Sequence, residues 1–274
     1  MSDARGIVQF MSALSEMAKG AARPSVLLLL PRTIPQVKLP LHAYDQIEDK
    51  YGHETLPVKD LKSNSFFFGQ NEIESLKRQA VGKGGAATFE VLSACLWHSR
   101  TRALQLPMEQ EVRFIFPVDA RKIFDPPLPE GFYGNAFALA CVKTIARELA
   151  NTSLSFAVKL INEAKTAVNN EYMRSVIDFM ELNERPHFTM LGSFVASQVS
   201  KMGLRDVDFG WGNAVYGGIA GGVLGAVDGM FCLFFAHQNT DGFEGIMVTL
   251  GLPSDAMRRF ENEISRSVGL QSKL

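Results

Sequence analysis

Residues 208–212 read DFGWG, in which an acidic residue and a phenylalanine precede a tryptophan flanked by two glycines. Glycine has no Cβ, so Gly210 and Gly212 allow a tight backbone path and a close approach of neighbouring groups. Taken alone, the five residues fit an ordinary glycine bend with a tryptophan packed in a core. Their meaning therefore depends on the rest of the chain.

The composition is that of a globular protein. Of the 274 residues, 46% are hydrophobic and 21% are charged, which is enough apolar material for a packed core. The length fits two domains or one large domain. The formal net charge is −1 and the basic residues are scattered, so nucleic acid is not the expected partner. No apolar run reaches the roughly 18–20 residues of a membrane span, so no membrane partner is expected either.

The cysteines and the N-terminal segment indicate a reducing compartment. Cys95, Cys141 and Cys232 are odd in number, widely spaced and set in apolar runs. This pattern favours buried free thiols over a disulfide framework or a metal site. The N-terminal segment lacks the cationic start and apolar block of a signal peptide. We therefore expect a cytoplasmic protein with no metal and no cofactor.

Hydrophobic periodicity predicts helices mixed with strands. One apolar face at helical spacing predicts a helix over residues 3–19, formed by Ile7, Phe10, Met11, Leu14 and Met17. Further helices are expected at 71–81, from about Thr88 as N-cap, over 152–182, and from Pro253 or Ser254. Strands are expected in NSFFFGQ (64–70), EVRFIFPVDAR (111–121), AFALACVKT (136–144), FTMLGSFVASQVS (188–200), AVYGG (214–218), MFCLFFAH (230–237) and GIMVTLGL (245–252). This order indicates a mixed-sheet α/β protein.

Other segments give DFGWG a context. The chain opens with MSDARGIVQF, residues 117–135 read PVDARKIFDPPLPEGFYGN, and residues 88–101 read TFEVLSACLWHSRT. In combination these segments resemble the plant acyl-CoA-dependent acyltransferases of the BAHD family. Members of that family carry a His-x-x-x-Asp motif in mid-chain and an Asp-Phe-Gly-Trp-Gly motif towards the end. The similarity is to the alcohol acyltransferase branch, which includes benzyl alcohol O-benzoyltransferases.

The resemblance implies an α/β fold with chloramphenicol-acetyltransferase-like mixed sheets, of which this chain is the C-terminal part of a two-domain acyltransferase. It assigns 1–30 and 208–237 to a remnant of the N-terminal domain. Residues 40–207 and 238–274 form the C-terminal domain, and 31–39 connect the two. Met230 to Phe235 and the helix over 3–19 should then be more exposed than residues 112–118 and 135–142, because their partner sheet is mostly missing.

The resemblance places the catalytic histidine upstream of Met1, outside this chain. Acyl transfer to an alcohol needs a base with a pKa near neutrality, and a histidine four residues before Asp3 would supply it. We therefore expect an N-terminally truncated relative with no catalytic residue and no activity alone. Asp3 is expected to be structural, paired with Arg121, with Asp208 as the other candidate partner. Arg121 joins the structural motif of Asp208, Phe209, Gly210, Trp211 and Gly212.

A second histidine matches the motif only as a string. Residues 237–241 read HQNTD, but they follow the predicted strand 230–237 and have the composition of a turn. In the family a helix follows the motif aspartate, and none is predicted after Asp241. We interpret His237 as a hairpin-end histidine that takes no part in chemistry.

The resemblance also suggests contacts with acyl-CoA, which enters as a substrate. The glycine-rich loop VGKGGAATFEV (81–91) leads into a helix, and helix N-termini attract phosphate. The candidate CoA-binding residues are Lys83, Thr88, Tyr133, Gly134 and Asn135, although a flexible loop explains this string as well. The expected reaction forms an ester from acyl-CoA and a small alcohol, catalysed by a monomer.

Two other functions remain open. An alkaloid acyltransferase that acts on a hydroxylated quinolizidine fits PPLPEGFYGNAF (126–137) equally well. The other is a non-catalytic protein that binds CoA or a partner enzyme, and the absence of the motif histidine from this chain favours it.

Overall fold

The computed structural model describes residues 2–29, 60–81, 85–182, 192–218, 229–239 and 241–268. Met1, the predicted connector 31–39 and Lys83 lie outside these ranges. The prediction that the catalytic histidine lies upstream of Met1 is therefore not tested by the described residues and stays a prediction.

Six strands form one mixed sheet in the order β1-β6-β5-β4-β2-β3. The strands are Leu61–Gly69 (β1), Glu111–Asp119 (β2), Phe137–Ile145 (β3), Ser193–Gln198 (β4), Phe231–Gln238 (β5) and Glu244–Pro253 (β6). The pairs β2–β4 and β4–β5 are parallel and the others are antiparallel. The mixed sheet that the sequence predicts is therefore confirmed.

The described helices begin with Ala4–Ala18 (α1) and end with Ser254–Val268 (α7). Between them lie Gln70–Val81 (α2), Thr88–Leu104 (α3), Ala146–Asn151 (α4), Leu154–Ala167 (α5) and Asn170–Leu182 (α6). Helix α3 packs against α2, α5 and α7. Leu92, Leu96 and Trp97 of α3 are fully buried, since the helix is enclosed on several sides.

The two faces of the sheet differ because side chains alternate along each strand. Phe114, Phe194 and Phe234 point to the helices and belong to the main core. Ile115 and Val195 point the other way, where a smaller cluster forms with Met230. We call this second side the far face, because α2, α3, α5 and α7 pack on the first side.

The exposure expected for residues 230–235 is wrong. Met230, Phe234 and Phe235 are 5%, 0% and 5% exposed. Strand β5 pairs with β4 on one side and with β6 on the other, so it is an inner strand of the same sheet. The assignment of residues 1–30 and 208–237 to a remnant of the N-terminal domain stays a prediction.

The exposure expected for the first helix is confirmed. Ile7, Phe10 and Leu14 are 48%, 41% and 43% exposed, against 0% for Phe114 and 1% for Ala140. The predicted apolar face of α1 therefore has little cover from the described residues.

Three local predictions need correction. Residues 214–218 form no strand, and Val215 is 94% exposed. Thr88 is the first residue of α3 rather than its N-cap. The N-cap is Ala87, which has an extended backbone. The Ala87 N–H donates to the Glu90 carboxylate at 2.9 Å, so the Glu90 side chain provides an acceptor for a backbone donor at the start of the helix. Cys141 is exposed on the edge strand β3, whereas Cys95 and Cys232 are buried.

Candidate active site

Asp3 and Arg121 form a bidentate ion pair at the start of α1. Arg121 Nη2 donates to Asp3 Oδ1 at 2.8 Å and Nη1 donates to Oδ2 at 2.9 Å. Asp3 is also the N-cap of α1, and its two oxygens accept further bonds from the N–H groups of Gly6 and Ala136, both at 2.9 Å. The side chains of Asp3 and Arg121 are only 10% and 14% exposed. The predicted pairing of Arg121 with Asp3 is confirmed.

This environment keeps Asp3 ionised. Burial raises the pKa of its carboxyl group, but hydrogen bonds from Arg121, Ala136 and Gly6, together with the charge of Arg121, outweigh burial, so the pKa lies below its ordinary value. Burial in turn lowers the pKa of Arg121, but Asp3 and Asp119 more than compensate and raise it. The Asp3 carboxylate accepts four hydrogen bonds, and this arrangement indicates a structural role.

Asp208 organises a different feature, the DFGWG turn. Its Oδ1 accepts from the N–H groups of Gly210 at 2.8 Å and Gly212 at 2.9 Å. These bonds lower the pKa of Asp208. Both glycines have positive φ, 104° and 101°, which side chains with a Cβ rarely adopt. The turn leaves Trp211 94% exposed, so the interpretation of this tryptophan as a core residue is wrong.

Asp208 is not the partner of Arg121. Its other oxygen lies 3.9 Å from Lys19 Nζ, at the end of α1. The two motif aspartates therefore contact opposite ends of the same helix.

A cavity of about 530 Å³ opens beside the Asp3–Arg121 pair. The start of α1, the start of α3 and the ends of β2 and β4 meet there. Its apolar lining includes Phe89, Phe116, Val118, Phe137, Leu139, Val195, Met202 and Phe231. Its polar lining includes Asp3, Arg5, Thr88, Asp119, Arg121, Lys165, Ser197, Gln198 and Lys201. An apolar cavity with a few polar groups at its wall is typical of a small-molecule site.

Of the predicted CoA-binding residues that are described, only Thr88 lines this cavity. Tyr133 is half-buried and packs against Phe10, with ring centroids 6.4 Å apart. The carbonyl of Gly134 accepts from Arg121 Nη2 at 3.3 Å, and Asn135 is exposed. Of these three residues, Gly134 contacts the ion pair, and the contact of all three with CoA stays a prediction.

Lys165 is a cavity residue that sequence reasoning missed. It extends from α5 to the buried Glu90 of α3, with Nζ 3.0 Å from Oε1. A lysine on an amphipathic helix reads as a solvated residue, so the sequence carried no signal for this placement.

The histidines of the described residues do not approach the cavity. His237 on β5 pairs with Gly245 and packs edge-on against Phe67, with centroids 6.0 Å apart. The following residues form the connection to β6, where Gly242 N–H donates to the Asn239 carbonyl at 3.0 Å. The hairpin-end interpretation is confirmed, and the chemical inertness of His237 stays a prediction. His98 is mostly buried within α3, where burial, and then the charge of Arg102, lower its pKa.

No group of three or more His, Cys, Asp or Glu side chains in the described ranges is arranged to hold a metal ion. None of the helices described is both long and apolar enough to cross a membrane.

Comparison with known proteins shows the family to which the chain belongs. Residues 1–267 match the profile of the Transferase family. The chain is 43% identical to the benzyl alcohol O-benzoyltransferase of Nicotiana tabacum, in an alignment that covers 100% of this chain and 61% of that protein. It is 37% identical to the 13-hydroxylupanine O-tigloyltransferase of Lupinus albus, covering 96% of this chain and 59% of that protein.

Among solved structures, the fold is similar to that of F. graminearum TRI101 complexed with coenzyme A and T-2 mycotoxin. The TM-score is 0.72 at 18% identity, with 95% of this chain and 62% of that chain covered. The expected chloramphenicol-acetyltransferase-like mixed α/β fold is thereby confirmed. The chain spans about three fifths of the length of the curated relatives it matches. It belongs to the Transferase family of BAHD acyl-CoA-dependent acyltransferases.

Proposed function

We propose that this chain forms the C-terminal part of an acyl-CoA-dependent alcohol O-acyltransferase, with the cavity beside Asp3 as its reaction site. One observation carries the proposal. The Asp3–Arg121 pair holds the first turn of α1 against the end of β2, and both residues line the cavity.

The geometry suits a base supplied by the residues before Asp3. Asp3 has an extended backbone, with φ −75° and ψ 175°. An extended chain spans about 3.3–3.6 Å per residue, so a histidine four positions earlier lies within about 14 Å of Asp3. Since Asp3 is part of the cavity wall, such a histidine lies within range of the cavity.

In the proposed reaction, that histidine and the residues of this chain have different roles. A neutral imidazole accepts the hydroxyl proton as the alcohol oxygen attacks the thioester carbonyl, and it returns a proton to the departing CoA thiolate. Asp3 takes no proton, because Arg121 and two backbone N–H groups occupy its oxygens. Its task is to fix the helix start on which the position of the base depends.

The lining favours apolar substrates. The side chains of Phe116, Leu139 and Phe231 suit an aromatic or aliphatic acyl group and a small apolar alcohol. Lys201 at the cavity wall supplies positive charge for the phosphates of CoA, whereas the charge of Lys165 is paired with Glu90. We propose benzyl alcohol and benzoyl-CoA as the substrate pair, a monomer as the working unit and the cytoplasm as its location. A hydroxylated quinolizidine is the alternative acceptor, since the lupin relative is named for one.

The test joins this chain to the part of the tobacco relative that precedes the aligned region. The purified chimera is incubated with benzoyl-CoA and benzyl alcohol or with tigloyl-CoA and 13-hydroxylupanine, and ester is measured by mass spectrometry. We expect benzyl benzoate, and a loss of about 10²–10⁴-fold when the motif histidine is changed to alanine. A preference for 13-hydroxylupanine would select the alternative acceptor. A folded chimera that makes neither ester would contradict the proposed function and favour a non-catalytic binding protein.

A further inference from the structure

A second ion pair lies beside the Asp3–Arg121 pair at the cavity wall. Asp119 Oδ2 accepts from Arg5 Nη1 at 3.0 Å. Asp119 Oδ1 accepts from Arg121 twice, from the backbone N–H at 3.1 Å and from Nη1 at 3.2 Å. Asp119 therefore contacts both the arginine that holds Asp3 and an arginine of the first turn of α1.

The two pairs restrain α1 at two separate points. Asp3 is the extended N-cap and Arg5 lies within the first turn of α1, so the two pairs hold the helix through residues on either side of its first peptide. A helix held through Asp3 alone can pivot about that pair. A second contact through Arg5 removes this freedom, because both contacts end on the segment 119–121.

The second pair is too exposed to matter for folding. The side chains of Arg5 and Asp119 are 56% and 34% exposed, against 14% and 10% for Arg121 and Asp3. Solvent-exposed ion pairs contribute little to the free energy of unfolding. Both residues nevertheless line the cavity, where small displacements affect a reaction strongly.

We propose that Arg5 and Asp119 form a positioning pair, which sets the orientation of the first turn of α1 and thereby of the base that precedes Asp3. This inference rests on the proposed function for its effect on catalysis. Its effect on the helix start does not depend on the proposed function and can be measured in the 274-residue chain alone.

The first experiment measures the helix start without using activity. Amide hydrogen exchange is followed in the 274-residue chain at Gly6 and Ala136, whose N–H groups bind Asp3. We expect Arg5→Met to accelerate exchange at these amides at least about threefold, with an unchanged melting temperature. Arg5→Lys should restore most of the protection, because it keeps the charge. Unchanged exchange in Arg5→Met would overturn the proposal.

The second experiment measures turnover in the chimera with the matched control Arg147→Met. Arg147 is also 56% exposed and pairs with Glu109 at 2.6 Å, but it does not line the cavity. We expect Arg5→Met and Asp119→Asn to lower kcat at least about fivefold with KM changed less than about twofold, and Arg147→Met to change neither.

The remaining outcomes are distinguishable. A rise in KM alone would make Arg5 a substrate-binding residue, and a lower melting temperature that accompanies the kcat loss would make the pair structural, so either result overturns the proposal. If the parent chimera is inactive but exchange at Gly6 and Ala136 responds to Arg5→Met, the positioning pair stands and the proposed function fails.

Discussion

Asp3 shows how one carboxylate can be a motif residue without taking part in proton transfer. Four donors surround it and its side chain is 10% exposed. An ionised carboxylate in this setting stabilises the fold as long as it keeps its charge. The pH dependence of stability therefore reports on its role.

We expect the stability contributed by Asp3 to be complete above the ordinary aspartate pKa of about 3.9 and to be lost as the pH falls towards its lower pKa in the folded state. Asp3→Asn should lower the free energy of unfolding at pH 7 by about 2–3 kcal/mol, because Arg121 loses its charged partner. The difference between the two proteins should therefore shrink as the pH falls below about 4. Urea unfolding at several pH values measures this. A constant difference would contradict the account.

At the scale of elements, strand β5 holds the two halves of the sheet together. It pairs in parallel with β4 and antiparallel with β6. Phe234 is fully buried in the main core between the sheet and α3, where its ring lies 5.8 Å from that of Phe89. The strand is thus a structural centre, contrary to the sequence-based expectation.

Phe234→Ala should lower the free energy of unfolding by about 3–5 kcal/mol, because it leaves a cavity in a packed core. The matched control is Val215→Ala, whose side chain is 94% exposed and whose loss should change stability by less than about 0.5 kcal/mol. Urea unfolding of the 274-residue chain measures both. Comparable, small losses would mean that β5 is poorly packed, as the sequence first suggested.

The sequence predicts the helices and strands better than it predicts which strands pair with each other. Helix α1 and strand β2 follow from local periodicity, and both lie within two residues of the predicted ranges. The run MFCLFFA (230–236) signals a buried strand, but its lack of alternation says nothing about which strands flank it. Pairing depends on the whole chain, and this is why the burial of β5 was not predicted.

The site was predictable where a motif existed. The Asp3–Arg121 pair followed from the family resemblance. The pair of Arg5 and Asp119 did not, because the resemblance assigns no role to either residue and local periodicity does not show which distant side chains meet. Arg100 gave no signal either, yet it is 3% exposed, donates to the Gly229 carbonyl at 2.8 Å, and has its pKa lowered to about 10 by burial.

At the scale of the whole molecule, the described helices divide unequally between the two faces of the sheet. Helices α2, α3, α5 and α7 pack over the face that carries Phe114 and Phe234. The cavity lies at the end of the sheet between the starts of α1 and α3 and the ends of β2 and β4, and side chains of both faces line it. We propose that substrates bind in this cavity.

The most direct test fills the cavity and measures turnover. Ser197 of β4 lines the cavity, so Ser197→Trp in the chimera should place a large ring where substrates bind. We expect ester formation to fall at least about 100-fold with the melting temperature retained. Ser63→Trp is the control, because Ser63 is exposed on the edge strand β1, outside the cavity lining, and should leave turnover intact. Normal ester formation by a folded Ser197→Trp chimera would contradict the placement of the reaction site.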